Sequence, residues 1–124
     1  MVAGRLATIA LGAACVLAFA HHAQARTIYD GTWSVTVYGQ SGACAGGTYQ
    51  YTLQIANGNV YYTGGDARIS GRVNAKGAVV VHVSSSNGSG VGSGRLSRSS
   101  GGGSFRGSTS SGPCAGSWSS QRTG

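Results

Sequence analysis

After residue 25 the apolar side chains recur at every second position in short runs, and each run ends at Gly, Asn, Asp or Ser. A period of two puts alternate side chains on opposite faces of an extended chain, which constrains the sequence to β-strands joined by tight turns. The clearest run lies at 48–55, with Tyr49, Tyr51, Leu53 and Ile55 on one face and Thr48, Gln50, Thr52 and Gln54 on the other. Before it, residues 32–38 align Trp33, Val35 and Val37. After it, Asn57-Gly58 suits the positive φ of a two-residue hairpin turn. Further strands are predicted at 60–63, 67–73 and 78–84. Ile69, Val73, Val79, Val81 and Val83 face inward there, while Arg68, Ser70 and Arg72 face out. Fainter runs at 91–97, 103–107 and 114–121 bring the total to about eight. The predicted fold is all-β, a small antiparallel meander of about eight strands closed as a barrel or sandwich.

Residues 84–124 hold 15 Ser and 11 Gly among 41 residues, a composition that by itself describes a flexible linker. Leu96, Phe105 and Trp118, one to each candidate strand, argue for folding instead. So does the echo of Ser70-Gly71-Arg72-Val73 in Ser93-Gly94-Arg95-Leu96. Gly31-Thr32-Trp33, Gly103-Ser104-Phe105 and Gly116-Ser117-Trp118 share a glycine, a hydroxyl residue and an aromatic, as at barrel corners where a strand bends or a ring packs over glycine. Within this tract, 99–103 and 108–112 read as mobile turns.

The first 25 residues read as a cleavable signal peptide. Arg5 supplies the charge, residues 6–20 the apolar run, and Ala23-Gln24-Ala25 the small-x-small cleavage site. The expected product is a single exported domain, 26–124, periplasmic or secreted, with no transmembrane segment left. Its two cysteines, Cys44 and Cys114, are expected to form one disulfide in an oxidising compartment. Cys44 follows the first strand and Cys114 begins the last, so in an up-and-down barrel the bridge would lock the closing seam. Arg5 leaves with the leader, which takes the formal +7 of the chain to +6.

The side chains able to do chemistry are few. After residue 25 there remain one histidine, His82, two carboxylates, Asp30 and Asp66, and a single lysine, Lys76. A zinc or copper site normally uses three or four ligands, so no metal and no cofactor is expected. His82 alternates with Val81 and Val83 on a strand and reads as solvent-facing. Gly92-Ser93-Gly94 lies in a Gly/Ser tract rather than at a strand-to-helix elbow. Asp30 and Asp66 adjoin glycines, where Asp shapes turns. These features argue against an enzyme.

Binding groups are better supplied. Arg68, Arg72, Arg95 and Arg106 are expected on one outer side, and of the adjacent Tyr61 and Tyr62 one must face outward. Arginine beside exposed tyrosine suits sugar rings or anionic polymers, such as an acidic polysaccharide or lipopolysaccharide. Nucleic acid would meet the same charge, but export and the lack of a stacking motif make it a poor partner.

Asp30-Gly31-Thr32-Trp33-Ser34-Val35, Ile55-Ala56-Asn57-Gly58, Ser70-Gly71-Arg72-Val73, Gly92-Ser93-Gly94-Arg95-Leu96 and Cys114-Ala115-Gly116-Ser117-Trp118 together resemble a group of short exported bacterial proteins. Some of these carry the label "large exoprotein involved in heme utilization or adhesion". The resemblance covers residues 28–122 and implies export; it brings no site residues. Three functions follow as expectations. The first is a non-enzymatic binding or adhesion module with a basic Arg/Tyr face. The second is a carrier of a small apolar ligand or haem in a calycin-like barrel, suggested by Gly31-Thr32-Trp33, with Trp33 and Trp118 near the mouth or base of a cavity. The third is a structural or inhibitory partner protein.

Overall fold

The computed structural model describes residues 26–124; the expected signal peptide, 1–25, lies outside the described residues. Eight strands follow in order: β1 (Gly31–Gly42), β2 (Thr48–Ala56), β3 (Asn59–Tyr61), β4 (Arg68–Val73), β5 (Ala78–Ser85), β6 (Gly88–Leu96), β7 (Ser100–Thr109) and β8 (Gly112–Arg122). Each pairs antiparallel with the next, and β1 pairs with β8, closing a barrel. Closure decides between barrel and sandwich, although the part of β2 beyond the three-residue β3 lacks a partner on one side. The register shifts once along the seam, between Gly39 and Ser41.

Local chemistry sets the turns. Asn57 and Gly58 both take positive φ, 53° and 78°, as a two-residue hairpin turn requires. In the turn from β4 to β5, Asn74 Oδ1 accepts from the backbone N–H of Lys76 and of Ala78. The expectation of mobile turns at 99–103 and 108–112 is corrected. Residues 100–109 form β7, and the chain reverses at 97–99 and 110–111. The Ser/Gly composition misleads here because each of these strands is held by backbone hydrogen bonds on both sides, which do not depend on side-chain size.

The two ends of the barrel differ. One end carries residues 26–30, the turns at 57–58, 74–77 and 97–99, and the C-terminus, and it is closed. Trp33 is 1% exposed there, and its indole N–H donates to the Tyr29 carbonyl at 2.9 Å. The Arg122 guanidinium lies over the Trp33 ring, 5.9 Å from its centroid, and donates to the carbonyls of Ile28, Arg98 and Asp30. Leu53, Ile55, Val60, Ile69, Val73, Val79 and Leu96 complete a core confined to this half.

The other end carries the loops at 43–47, 62–67, 86–87 and 110–111, and the disulfide Cys44–Cys114, with Cα atoms 5.4 Å apart. Cys114 pairs with Gly42 of β1, so the bridge sits on the closing seam. The outer wall is mostly polar, including Thr36, Thr52, Ser70, Arg72, Ser93, Ser104 and Ser117. That is the inverse of a barrel whose outside faces lipid.

Candidate functional site

The inward positions of β6, β7 and β8 are largely glycine. Register places Gly94, Gly92 and Gly90 opposite Val79, Val81 and Val83, and Gly103, Phe105 and Gly107 opposite Gly94, Gly92 and Gly90. Trp118 and Gly116 follow opposite Gly103 and Phe105. A Cβ at Gly94, Gly103, Gly107 or Gly116 would strike the backbone of a neighbouring strand, whereas Gly92 leaves interior volume open, and the space widens towards the other end. The result is a cavity of about 520 Å³, within the roughly 300–1,000 Å³ of small-molecule sites.

Trp33, Leu53, Ile55, Val60, Ile69, Val79 and Leu96 form its floor. Val35, Val37, Tyr51, Val81, Phe105 and Trp118 line its walls, and Tyr49, Ser85, Asn87 and Ser108 stand at its mouth. No charged side chain lines it. The Trp118 indole N–H is already given to the Ser93 carbonyl at 3.1 Å, so that ring offers the cavity an apolar surface. Gly92 faces the open space: a Cβ there would find its nearest heavy atom, Trp118 Nε1, 3.8 Å away.

The wall is shortest at β3, three residues long, where the 62–67 loop makes the rim. The Tyr62 hydroxyl donates to Asp66 Oδ1 at 2.6 Å. That hydrogen bond, with burial and the Asp66 charge behind it, raises the Tyr62 pKa. Tyr51 meets the Tyr62 ring edge to face at 5.6 Å. Burial, then the charge of Asp66, raises the Tyr51 pKa above 10.0. Its hydroxyl therefore stays a proton donor at neutral pH at the wet end of an apolar wall.

The expected binding residues separate into distinct places. Tyr61 points outward, 49% exposed, while Tyr62 turns to the rim. Arg72 donates to Asn59 Oδ1 and Arg95 to the Lys76 carbonyl, both towards the closed end. Arg68 and Arg106 lie towards the open end, on an outer groove they share with His82. Trp33 and Trp118 stand at the floor and in the wall of the cavity. His82 faces outward and is exposed, so among the described residues no imidazole enters the barrel interior. Among the described residues no three of His, Cys, Asp and Glu come together to hold a metal ion.

Three contributors had no visible signal as site residues. Arg122 closes the floor from a terminal tract that looks like linker, and Gly92 makes room by having no side chain. Asp30 reaches a neighbouring hairpin, accepting from the Thr27 hydroxyl and from the N–H groups of Asn57 and Gly58. Comparison with protein-family models, with curated proteins and with solved structures yields no match to this chain.

Proposed function

We propose that the chain is a non-enzymatic carrier or receptor for one small, uncharged, largely apolar molecule, held inside the open half of the barrel. The observation that carries this reading is the cavity of about 520 Å³ with an aromatic and aliphatic lining and no charge. Desolvating a charged group there would go uncompensated, whereas an apolar body is favoured by roughly 25 cal/mol for each Å² it hides. The Tyr51 hydroxyl and the serine- and asparagine-bearing mouth suit a ligand with a hydrogen-bonding group at one end. This is the sort of use an eight-stranded barrel allows, since its interior is wide enough to hold one small ligand. Export, expected from the sequence of residues 1–25, would place such a carrier in the periplasm or the medium.

The test is a fluorescence titration of residues 26–124 with the neutral probe N-phenyl-1-naphthylamine. Saturable enhancement at one probe per chain, unchanged by 0.5 M NaCl, is the expected result. Gly92→Leu, whose side chain would grow into the cavity, should abolish it while the barrel keeps its circular dichroism spectrum. Equal binding by a folded Gly92→Leu variant would exclude the cavity as the site.

A further inference from the structure

The outer wall carries a second concave surface, on strands whose other face borders the interior cavity. An open groove of about 900 Å³ runs along the saddle of the wall across β4 to β8 and the end of β1. Register shows what meets on it. Ser70 of β4 pairs with His82 of β5, His82 with Val91 of β6, and Val91 with Arg106 of β7. Arg68 stands one outward position towards the open end, opposite Ser84, which in turn pairs with Ser89. All of these line the groove, and no carboxylate does.

Arg68 and Arg106 differ from the other wall arginines in one respect that matters. The guanidiniums of Arg72 and Arg95 are engaged by Asn59 and the Lys76 carbonyl. Those of Arg68 and Arg106 have no hydrogen bond or ion pair among the described residues. Both are exposed, and no counter-charge lines the groove beside them, so their donors are open to an anion from solution. Their strands are three steps apart, about 14 Å of sheet at 4.7–4.9 Å per step. Two exposed guanidiniums on strands so spaced fit acidic groups on successive units of an oligomer.

Between the arginines lie the hydroxyls of Ser70, Ser84 and Ser89 and the imidazole of His82, with no tryptophan, tyrosine or phenylalanine in the groove. Serine hydroxyls both donate and accept, as sugar hydroxyls do. Single-stranded nucleic acid relies on aromatic stacking platforms, which this groove lacks. We infer that the groove is a binding site for an acidic oligosaccharide, with Arg68 and Arg106 each holding a carboxylate or sulfate of the chain by bidentate hydrogen bonds and the serines between them contacting its hydroxyls.

The experiment measures binding of a galacturonate hexamer to residues 26–124 by calorimetry in 20 mM salt, with a neutral maltohexaose as the matched control. Binding of the acidic hexamer alone is expected, weakened at least tenfold in 0.5 M NaCl. Arg68→Ser and Arg106→Ser should each weaken it about tenfold or more, while Arg72→Ser and Arg95→Ser change it less than twofold. Arg106→Lys, which keeps the charge but loses the fork, should recover only part of the loss. Gly92→Leu should bind the hexamer normally, and Arg68→Ser should bind the neutral naphthylamine normally, so either site can fail alone. The inference is overturned if the hexamer does not bind, or if all four arginine variants weaken it alike. Tighter binding of a single-stranded DNA oligomer or of phosphatidylglycerol vesicles through Arg68 and Arg106 would also overturn it.

Discussion

Asp30 shows how much one side chain can organise in a small barrel. It is buried at the closed end, just before β1, and its carboxylate accepts from the Thr27 hydroxyl at 2.6 Å and the Asn57 N–H at 2.7 Å. Burial by itself would raise its pKa. The hydrogen bonds from Thr27, Asn57 and Gly58 outweigh that and bring it below the ordinary 3.8. Because the folded value is the lower one, this stabilisation is present above the ordinary carboxylate range and is lost as pH falls through the depressed folded value. Asp30→Ala should destabilise the domain by about 1–3 kcal/mol at neutral pH, since it strands the buried N–H of Gly58 and the part-buried N–H of Asn57. Urea unfolding of both proteins from pH 7 to 2 would check this: the difference should shrink at the acid end. The sequence makes Asp30 legible as a turn residue. Its partner turn, 27 residues further on, could not be read, because that contact exists only once β1 and β2 are registered.

At the scale of the element, β6, β7 and β8 decide the character of the molecule. Their apolar residues are too sparse to reveal strands clearly, and Leu96, Phe105 and Trp118 were the legible trace. The glycines between them are not equivalent. A Cβ at Gly116 would strike the Tyr38 carbonyl oxygen and come within 2.8 Å of the Phe105 ring, so that glycine lets β8 pass close to β1. Gly92 has no such neighbour. Gly116→Ala should therefore cost about 2–3 kcal/mol in thermal or urea unfolding, as overpacked positions do. Gly92→Ala should be neutral or stabilising by up to about 1 kcal/mol, through the lower entropy of its unfolded chain. Similar losses at both positions would contradict the distinction. Composition cannot separate glycines that let backbones meet from glycines that leave room; only the packing around each one does.

For the whole molecule, the alternation and the cysteine positions make the all-β meander and its stapled seam legible, while only the pairing of β1 with β8 decides barrel against sandwich. The sequence offers a cavity only as one alternative, on Gly31-Thr32-Trp33, and its extent and lining are not legible there for a related reason. The cavity is the sum of what eight inward faces fail to fill, and no local pattern records a sum. The disulfide closes the seam at the open end, spanning 70 residues of sequence. Cys44→Ser with Cys114→Ser should cost up to about 4 kcal/mol by urea unfolding, an upper figure from chain entropy. Because the core sits at the opposite end, the doubly substituted barrel should still fold.

The central claim is that an apolar molecule occupies the inside of this barrel. Isotope-filtered nuclear Overhauser spectroscopy on carbon-labelled residues 26–124 with N-phenyl-1-naphthylamine tests it most directly. The account requires cross-peaks from probe protons to Val81, Phe105 and Trp118 together, since those three share one interior wall. Cross-peaks confined to outward side chains such as Val80 and Tyr61, with none to Phe105 or Trp118, would contradict it.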